Sequence, residues 1–169
     1  MNRLRTLAAI MVSLLLVSLA LFTGNAAAQD AGSLVGTWTI VSADTVDAAG
    51  KTSPTYGPNP RGSLIFTSNG RYSLTLARAS LPKFAAGNRV KGTADENKAV
   101  VAGSLSTFGT YTVDEKDKSF TFHVEASTYP NWDGTSQKRP FTVSGDEFRF
   151  TSAAASGGGS GKLVWKRIK

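Results

Sequence analysis

Cysteine is absent from this 169-residue chain, and histidine occurs once, as His123. Without cysteine the protein has no disulfide bond, no thiolate metal site, no catalytic cysteine and no redox-active thiol. A single histidine also excludes a histidine-rich metal site. We therefore predict no metal and no cofactor, and a fold that depends on a packed core rather than on covalent cross-links.

A hydrophobic run of membrane-spanning length is also lacking. The most apolar stretch, residues 7–22, is shorter than the roughly 20 residues that cross a bilayer as a helix. Arg3 and Arg5 precede it and Ala26-Ala27-Ala28 follows it, the order found in a secretory signal peptide. We predict cleavage after Ala28 and an exported protein, periplasmic or secreted, with a single domain over residues 34–168. An uncleaved membrane anchor is the alternative, whereas a lipoprotein would need a cysteine at the cleavage site.

A strong excess of one charge is missing as well. The chain has 19 Lys and Arg against 12 Asp and Glu, and removal of residues 1–28 takes away two arginines, which leaves 17 − 12 = +5. The basic residues are scattered among acids rather than gathered in a patch, so nucleic acid is not an expected partner. We also expect no stable membrane insertion once the signal peptide has been cleaved.

The remaining sequence is rich in short β-strand patterns. Alternating apolar and polar residues with β-branched and aromatic side chains are typical of strands. They predict eight strands, over residues 34–42, 62–67, 71–77, 107–113, 119–126, 138–144, 147–152 and 162–168. Ser68-Asn69-Gly70 predicts a tight hairpin turn, because Asn-Gly adopts the positive φ angles that such turns require.

Two segments interrupt this pattern. Residues 44–61 contain several prolines and glycines, which predicts a long loop because proline lacks the N–H that a ladder needs. Thr93 and Glu96 have the spacing of a capping box and predict one short helix over residues 94–105. Short strands without crossover helices indicate an antiparallel barrel or an open sandwich. Eight strands of up-and-down connectivity can close around one small ligand.

The first and last predicted strands carry residues suited to closing such a barrel. Gly36 and Trp38 share one face of the first strand, and Arg167 lies on the last strand. If these strands are neighbours, Arg167 can lie across the Trp38 ring as a cation–π contact worth about 0.5–2 kcal/mol. We expect a structural role for all three residues.

Several motifs together resemble the bacterial lipocalin-like domain family. The opening Leu34-Val-Gly-Thr-Trp38 and the closing Leu163-Val-Trp-Lys-Arg167 are similar to lipocalin end strands. Between them lie, in order, Tyr56-Gly-Pro-Asn-Pro-x-Gly62, Leu64-Ile-Phe-Thr, Phe108-Gly-Thr-Tyr-Thr-Val113, His123-Val-Glu125 and Pro130-Asn-Trp-x-Gly134. The resemblance implies an all-β, antiparallel, up-and-down eight-stranded lipocalin-like barrel with one short helix, and binding of a small hydrophobic molecule. Fold alone does not fix function.

The strand at residues 119–126 has two different faces. One carries Phe120 and Phe122, and the other carries His123 and Glu125. If the aromatic face points inward, His123 and Glu125 are at the surface. If the polar face points inward, the two side chains could orient the polar group of a ligand, which the resemblance favours because His-x-Glu belongs to the family pattern.

We predict ligand contacts by His123, Glu125, Tyr56 and Trp132, the last two on proline-stiffened loops that either cover the barrel mouth or plug one end. Two other functions remain open. An isomerase or cyclase could use His123 and Glu125 to shuttle a proton, although the sequence contains no recognisable nucleophile motif and we name no catalytic residue. A structural barrel without a cavity would be filled by Phe66, Tyr111, Phe122, Phe141, Phe148 and Phe150.

Overall fold

The computed structural model describes residues 31–169, so the predicted signal peptide lies outside the described residues. Nine strands and one α-helix make up this part of the chain, with 3-10 turns at Ala31–Ser33, Arg89–Lys91 and Pro130–Trp132. No helix within residues 31–169 is both long and apolar enough to span a membrane. The elements are β1 (Gly36–Val46), β2 (Thr52–Pro54), β3 (Arg61–Phe66), β4 (Arg71–Ala77), α1 (Ala94–Gly103), β5 (Ser104–Asp114), β6 (Ser119–Ser127), β7 (Ser136–Ser144), β8 (Glu147–Ser152) and β9 (Ser160–Arg167).

The strands form a closed antiparallel barrel. Each strand from β3 to β8 pairs with the next one along the chain, β1 pairs with β3, and β1 also pairs with β9. This last pairing runs from Trp38 opposite Arg167 to Val46 opposite Ser160, and it joins the two ends of the sheet. The barrel consists of eight strands, β1 and β3 to β9, and within residues 31–169 the short strand β2 pairs only with β1. The predicted eight-stranded barrel is confirmed, and the β1–β9 ladder excludes the open sandwich.

Local sequence signals explain two of the connections. In the β3–β4 hairpin, Gly70 adopts φ +80° and donates its N–H to the Thr67 carbonyl oxygen at 3.1 Å. At the start of α1, the Thr93 hydroxyl accepts from the Glu96 N–H and the Glu96 carboxylate accepts from the Thr93 N–H. The predicted hairpin turn and capping box are therefore both present, although in the turn only Gly70, and not Asn69, adopts a positive φ.

The helix end and the predicted loop at residues 44–61 differ from the prediction. Helix α1 ends at Gly103 rather than at residue 105, because β5 begins at Ser104 and pairs with β4. Strand β1 continues to Val46, past the start of the predicted loop. The loop also contains the short strand β2, whose Pro54 is tolerated because it is the last residue of a strand that pairs on one side with β1.

The barrel interior is divided into two parts. At one end lies a cluster that we call the aromatic plug, formed by Trp38, Phe66, Phe120, Phe148 and Trp165, each at most 1% exposed. Their rings pack mainly edge-to-face or tilted, with centroid separations such as 5.2 Å for Trp38 and Phe148, the geometry that aromatic pairs prefer. This end is filled by side chains.

Arg167 closes the barrel next to the aromatic plug. Its guanidinium carbon lies 4.0 Å from the centroid of the Trp38 ring, so the contact predicted between these residues is present. The guanidinium donates to the carbonyl oxygens of Val35 at 2.7 Å and Ser33 at 2.6 Å. Gly36 leaves room for it, since a Cβ at this position, with φ +133°, would lie 2.7 Å from Nη1 of Arg167.

Candidate functional site

A cavity of about 80 Å³ occupies the other part of the interior. Strands β1, β8 and β9 each carry a residue of the aromatic plug toward one end and a residue of the cavity wall toward the other. Ala43 follows Trp38 on β1, Ser152 follows Phe148 on β8, and Gly161 precedes Trp165 on β9. Most of its wall is apolar and comes from Leu74, Leu76, Leu105, Phe122, Phe150 and Leu163. The barrel is therefore neither hollow throughout nor filled throughout.

Arg139 supplies a charged group to the cavity wall. It lies on β7 and is only 6% exposed, although its neighbour Lys138 is exposed on the outside of the barrel. Its guanidinium donates to the Gln137 side-chain oxygen at 2.5 Å and to the Lys138 carbonyl oxygen at 3.3 Å. Burial lowers the pKa of Arg139 to about 10, which leaves the side chain positively charged at neutral pH.

Two tyrosines add hydroxyl groups to the same wall. The Tyr72 hydroxyl lies 3.2 Å from Oγ1 of Thr107, and burial raises the pKa of Tyr72. Burial also raises the pKa of Tyr56 to about 12. The Tyr56 hydroxyl makes no hydrogen bond to any other residue of the described chain, so it is available as a donor.

The predicted contacts Tyr56 and Trp132 both line the cavity. Trp132 belongs to the turn Pro130–Trp132 and packs edge-to-face against Tyr129, with ring centroids 5.6 Å apart. The hydroxyl of Thr135 donates to the Trp132 carbonyl oxygen at 2.7 Å and holds this turn in place. Both predicted aromatics are thus part of the cavity wall.

An outer groove of about 510 Å³, which we call the mouth groove, adjoins the cavity. The two spaces share Thr55, Tyr56, Leu105, Ser156 and Gly157 as lining residues. Helix α1 contributes Val101 and Ala102 to the groove, and Tyr129 lies on its wall as well. Val101 is 74% exposed, so this apolar side chain faces solvent beside the cavity entrance.

His123 and Glu125 are not in the cavity, and this corrects the expectation that they contact a ligand inside the barrel. Phe120, Phe122 and Val124 are buried instead, because the aromatic face of β6 points inward. The two nitrogens of His123 lie 3.1 Å from the Thr112 hydroxyl and 2.9 Å from the Ser136 hydroxyl.

The Glu125 side chain is also engaged in hydrogen bonds on the outer face of the barrel. Its carboxylate accepts two hydrogen bonds from Arg71, at 3.0 and 2.8 Å. These bonds and the Arg71 charge lower the pKa of Glu125. Neither His123 nor Glu125 can therefore exchange a proton with a molecule held in the cavity.

Metal ligation finds no support in the described part of the chain. Within residues 31–169, no three His, Asp or Glu side chains come together as a possible metal site. Asp44 lines the cavity, but the other polar groups there are hydroxyls, an amide and the guanidinium of Arg139. Such a wall is suited to an organic ligand with a polar group.

Sequence analysis missed Arg139. The signal was its phase on the strand, because Gln137, Arg139 and Phe141 alternate with the outward-facing Lys138 and Pro140. Adjacent basic residues usually lie in solvent, and this preference concealed the alternation. A strand phase fixed on Phe141 would have placed Arg139 inside.

The match to a family model agrees with this architecture. The model of the lipocalin-like domain matches residues 35–168. The chain belongs to the lipocalin-like domain family. No curated protein matches this lipocalin-like chain significantly by sequence.

Solved structures with a similar fold are distant in sequence. A lipocalin-like protein from Bacteroides uniformis is 14% identical, with a TM-score of 0.44, over 81% of this chain and 100% of that chain. An asparagine-to-alanine variant of the fluorescent protein UnaG is 13% identical, with a TM-score of 0.39, over 82% of this chain and 98% of its own. An asparagine-to-glutamine variant of UnaG is 12% identical, with a TM-score of 0.37, over 80% and 96%.

Proposed function

We propose that this lipocalin-like protein is an exported binding protein for a small, mostly apolar molecule that occupies the barrel cavity. The observation that carries the proposal is the cavity itself, an apolar space that the aromatic plug closes at one end and that shares lining residues with the mouth groove at the other. Burial of apolar ligand surface contributes roughly 25 cal/mol per Å². The few polar groups of the wall orient the ligand.

The size of the cavity constrains the ligand. Sites for small molecules usually measure about 300–1,000 Å³, whereas this cavity measures about 80 Å³. By itself it admits roughly five to eight water-sized groups. A larger ligand therefore extends past Tyr56 and Leu105 into the mouth groove, where Val101 and Tyr129 offer further apolar surface.

Export is supported by the order of residues at the start of the sequence. Arg3 and Arg5, the apolar residues 7–22 and Ala26-Ala27-Ala28 follow the plan of a cleaved signal peptide. The intact mass of protein purified from its own cells tests this. A chain that begins at Gln29 supports export, and a chain that keeps residues 1–28 contradicts cleavage.

Native mass spectrometry of the same purified protein tests ligand binding. We expect a discrete mass excess, and a solvent extract of the sample should contain the compound that accounts for it. Trp132 provides a second signal, because it lines the cavity while Trp38 and Trp165 are sealed in the aromatic plug. A ligand that changes tryptophan emission should lose this effect in Trp132→Phe.

Ala43→Leu and Val41→Leu form a matched pair on β1. Ala43 lines the cavity, whereas Val41 is 53% exposed on the outer face. These residues are two positions apart yet lie on opposite faces, because a bulge between Ile40 and Ser42 shifts the alternation of the strand. Leucine at position 43 fills cavity space and should remove the mass excess, and leucine at position 41 should leave it unchanged. A bare protein mass for the wild type, with no response of Trp132 to a panel of lipids, would instead favour a purely structural barrel.

A further inference from the structure

The barrel interior contains a positive charge without a negative partner. Arg139 is 6% exposed and lines the cavity. The four ion pairs found within residues 31–169 all lie at the surface, and none includes Arg139. Asp44 also lines the cavity but makes no ion pair with it. Burying a cation in this way is costly unless another group compensates it.

The hydrogen bonds of Arg139 are also incomplete. A guanidinium has five N–H donors, and the described residues accept from two of its nitrogens, through Gln137 and the Lys138 carbonyl oxygen. The remaining donors have no acceptor within residues 31–169. Tyr56, whose hydroxyl makes no hydrogen bond within residues 31–169, lines the same cavity. The cavity wall therefore keeps unused N–H donors on Arg139, as expected for a site that receives an acceptor from its ligand.

We propose that the ligand is an apolar carboxylic acid whose carboxylate binds Arg139 in the cavity, with its hydrocarbon part directed through the mouth. This inference rests on the proposed binding function and names the chemical class of the ligand. A carboxylate fits the planar fork of a guanidinium through two parallel hydrogen bonds. Its single negative charge balances the single charge of Arg139, whereas a doubly charged phosphate would leave a buried negative charge.

The direction of the hydrocarbon part follows from the wall of the cavity. Beyond Arg139 the aromatic plug leaves no space, so the chain of the acid extends toward Tyr56 and Leu105. These two residues belong to both spaces, and Val101 lies on the far side of the entrance. The cavity of about 80 Å³ admits only about five to eight water-sized groups, so a longer hydrocarbon chain would reach the mouth groove.

Octanoate and 1-octanol provide the test, because they share a hydrocarbon chain and differ in the charged group. Their dissociation constants for the mature wild-type protein, measured by calorimetry, should differ at least about 10-fold in favour of octanoate. In Arg139→Met, octanoate affinity should fall about 10- to 100-fold, the size expected for hydrogen bonds to charged groups. Affinity for 1-octanol should stay within about 3-fold of the wild type.

Lys138→Met is the matched control. It removes the same charge from the neighbouring residue, which points outward and pairs with Asp117 at 2.6 Å, so octanoate affinity should be unchanged. Tyr56→Phe keeps the shape of the wall and should weaken octanoate binding more than 1-octanol binding.

Each outcome has a definite consequence. Equal binding of octanoate and 1-octanol by the wild type would overturn the carboxylate inference and leave the proposed binding function standing. A neutral compound recovered in the solvent extract would also overturn the carboxylate inference and leave the binding function standing. If neither compound binds and native mass spectrometry shows no mass excess, the binding function fails together with the inference.

Discussion

Substitution of Arg167 by methionine should destabilise the barrel at its closed end. The change removes a cation–π contact with Trp38, worth about 0.5–2 kcal/mol. It also removes two hydrogen bonds from a charged donor to the carbonyl oxygens of Val35 and Ser33, each worth about 1.5–3 kcal/mol when fully buried. Arg167 is half-buried, so we expect a total loss of about 2–4 kcal/mol in the free energy of unfolding.

Urea denaturation followed by circular dichroism measures this loss directly. In thermal unfolding, the melting temperature of a domain of this size should fall by about 5–15 °C. Arg167→Lys should lie between the wild type and methionine, because one ammonium group cannot reproduce the fork that reaches both carbonyl oxygens. Lys166→Met, on the exposed neighbour, is the control. A loss below 1 kcal/mol for Arg167→Met, or an equal loss for Lys166→Met, would refute the role assigned to this contact.

Three other substitutions test separate features. Arg139→Met should stabilise the ligand-free protein by roughly 1–4 kcal/mol in urea denaturation, since it removes a buried charge without a counter-ion; destabilisation would contradict the picture of an uncompensated cation. Hydrogen bonds from the backbone N–H groups of Ala85 and Thr93 lower the pKa of Glu96. The stability that they provide should be complete above pH 4.5 and lost as the pH falls through the lowered pKa, which NMR titration of the Glu96 carboxyl group and of both amides will follow; an unshifted carboxyl pKa would argue against these bonds. Gly109→Ala should cost more than about 4 kcal/mol, because its Cβ would overlap the His123 carbonyl oxygen across the β5–β6 ladder, whereas Gly157→Ala meets nothing within 4 Å and should fold normally.

Features encoded by neighbouring residues were predictable from the sequence. The turn at Gly70 depends on the positive φ angle that glycine adopts readily, and the box formed by Thr93 and Glu96 depends on one helical turn. Both are present in the structure. The strand alternation also placed Gly36 and Trp38 on one face of β1, where Arg167 contacts both. These local conformational preferences are kept in the folded structure because the tertiary packing is compatible with them.

Features that depend on long-range packing were not predictable in the same way. Pro54 suggested a loop, but β2 forms because the adjacent edge of β1 accepts a short strand. A basic residue next to Lys138 usually lies in solvent, but the strand phase of Arg139 places it inside with Phe141. The orientation of β6 depends on the packing of the Phe120 and Phe122 rings against Phe66 from a distant strand. The size of the cavity depends on all of these contacts together.

The pairing of β1 with β9 has a consequence for how fast and in what order the barrel folds. The hydrogen bond between Arg167 and Ser33 joins residues separated by 134 positions, and bringing such distant segments together costs chain entropy before any contact is gained. The β3–β4 hairpin closes over a few residues and should form early. Until β9 has been synthesised and has docked, β1 lacks that neighbour and exposes N–H and C=O groups, which is the state most prone to intermolecular strand pairing. The slow step of folding is therefore also the step at which this protein depends most on protection from aggregation.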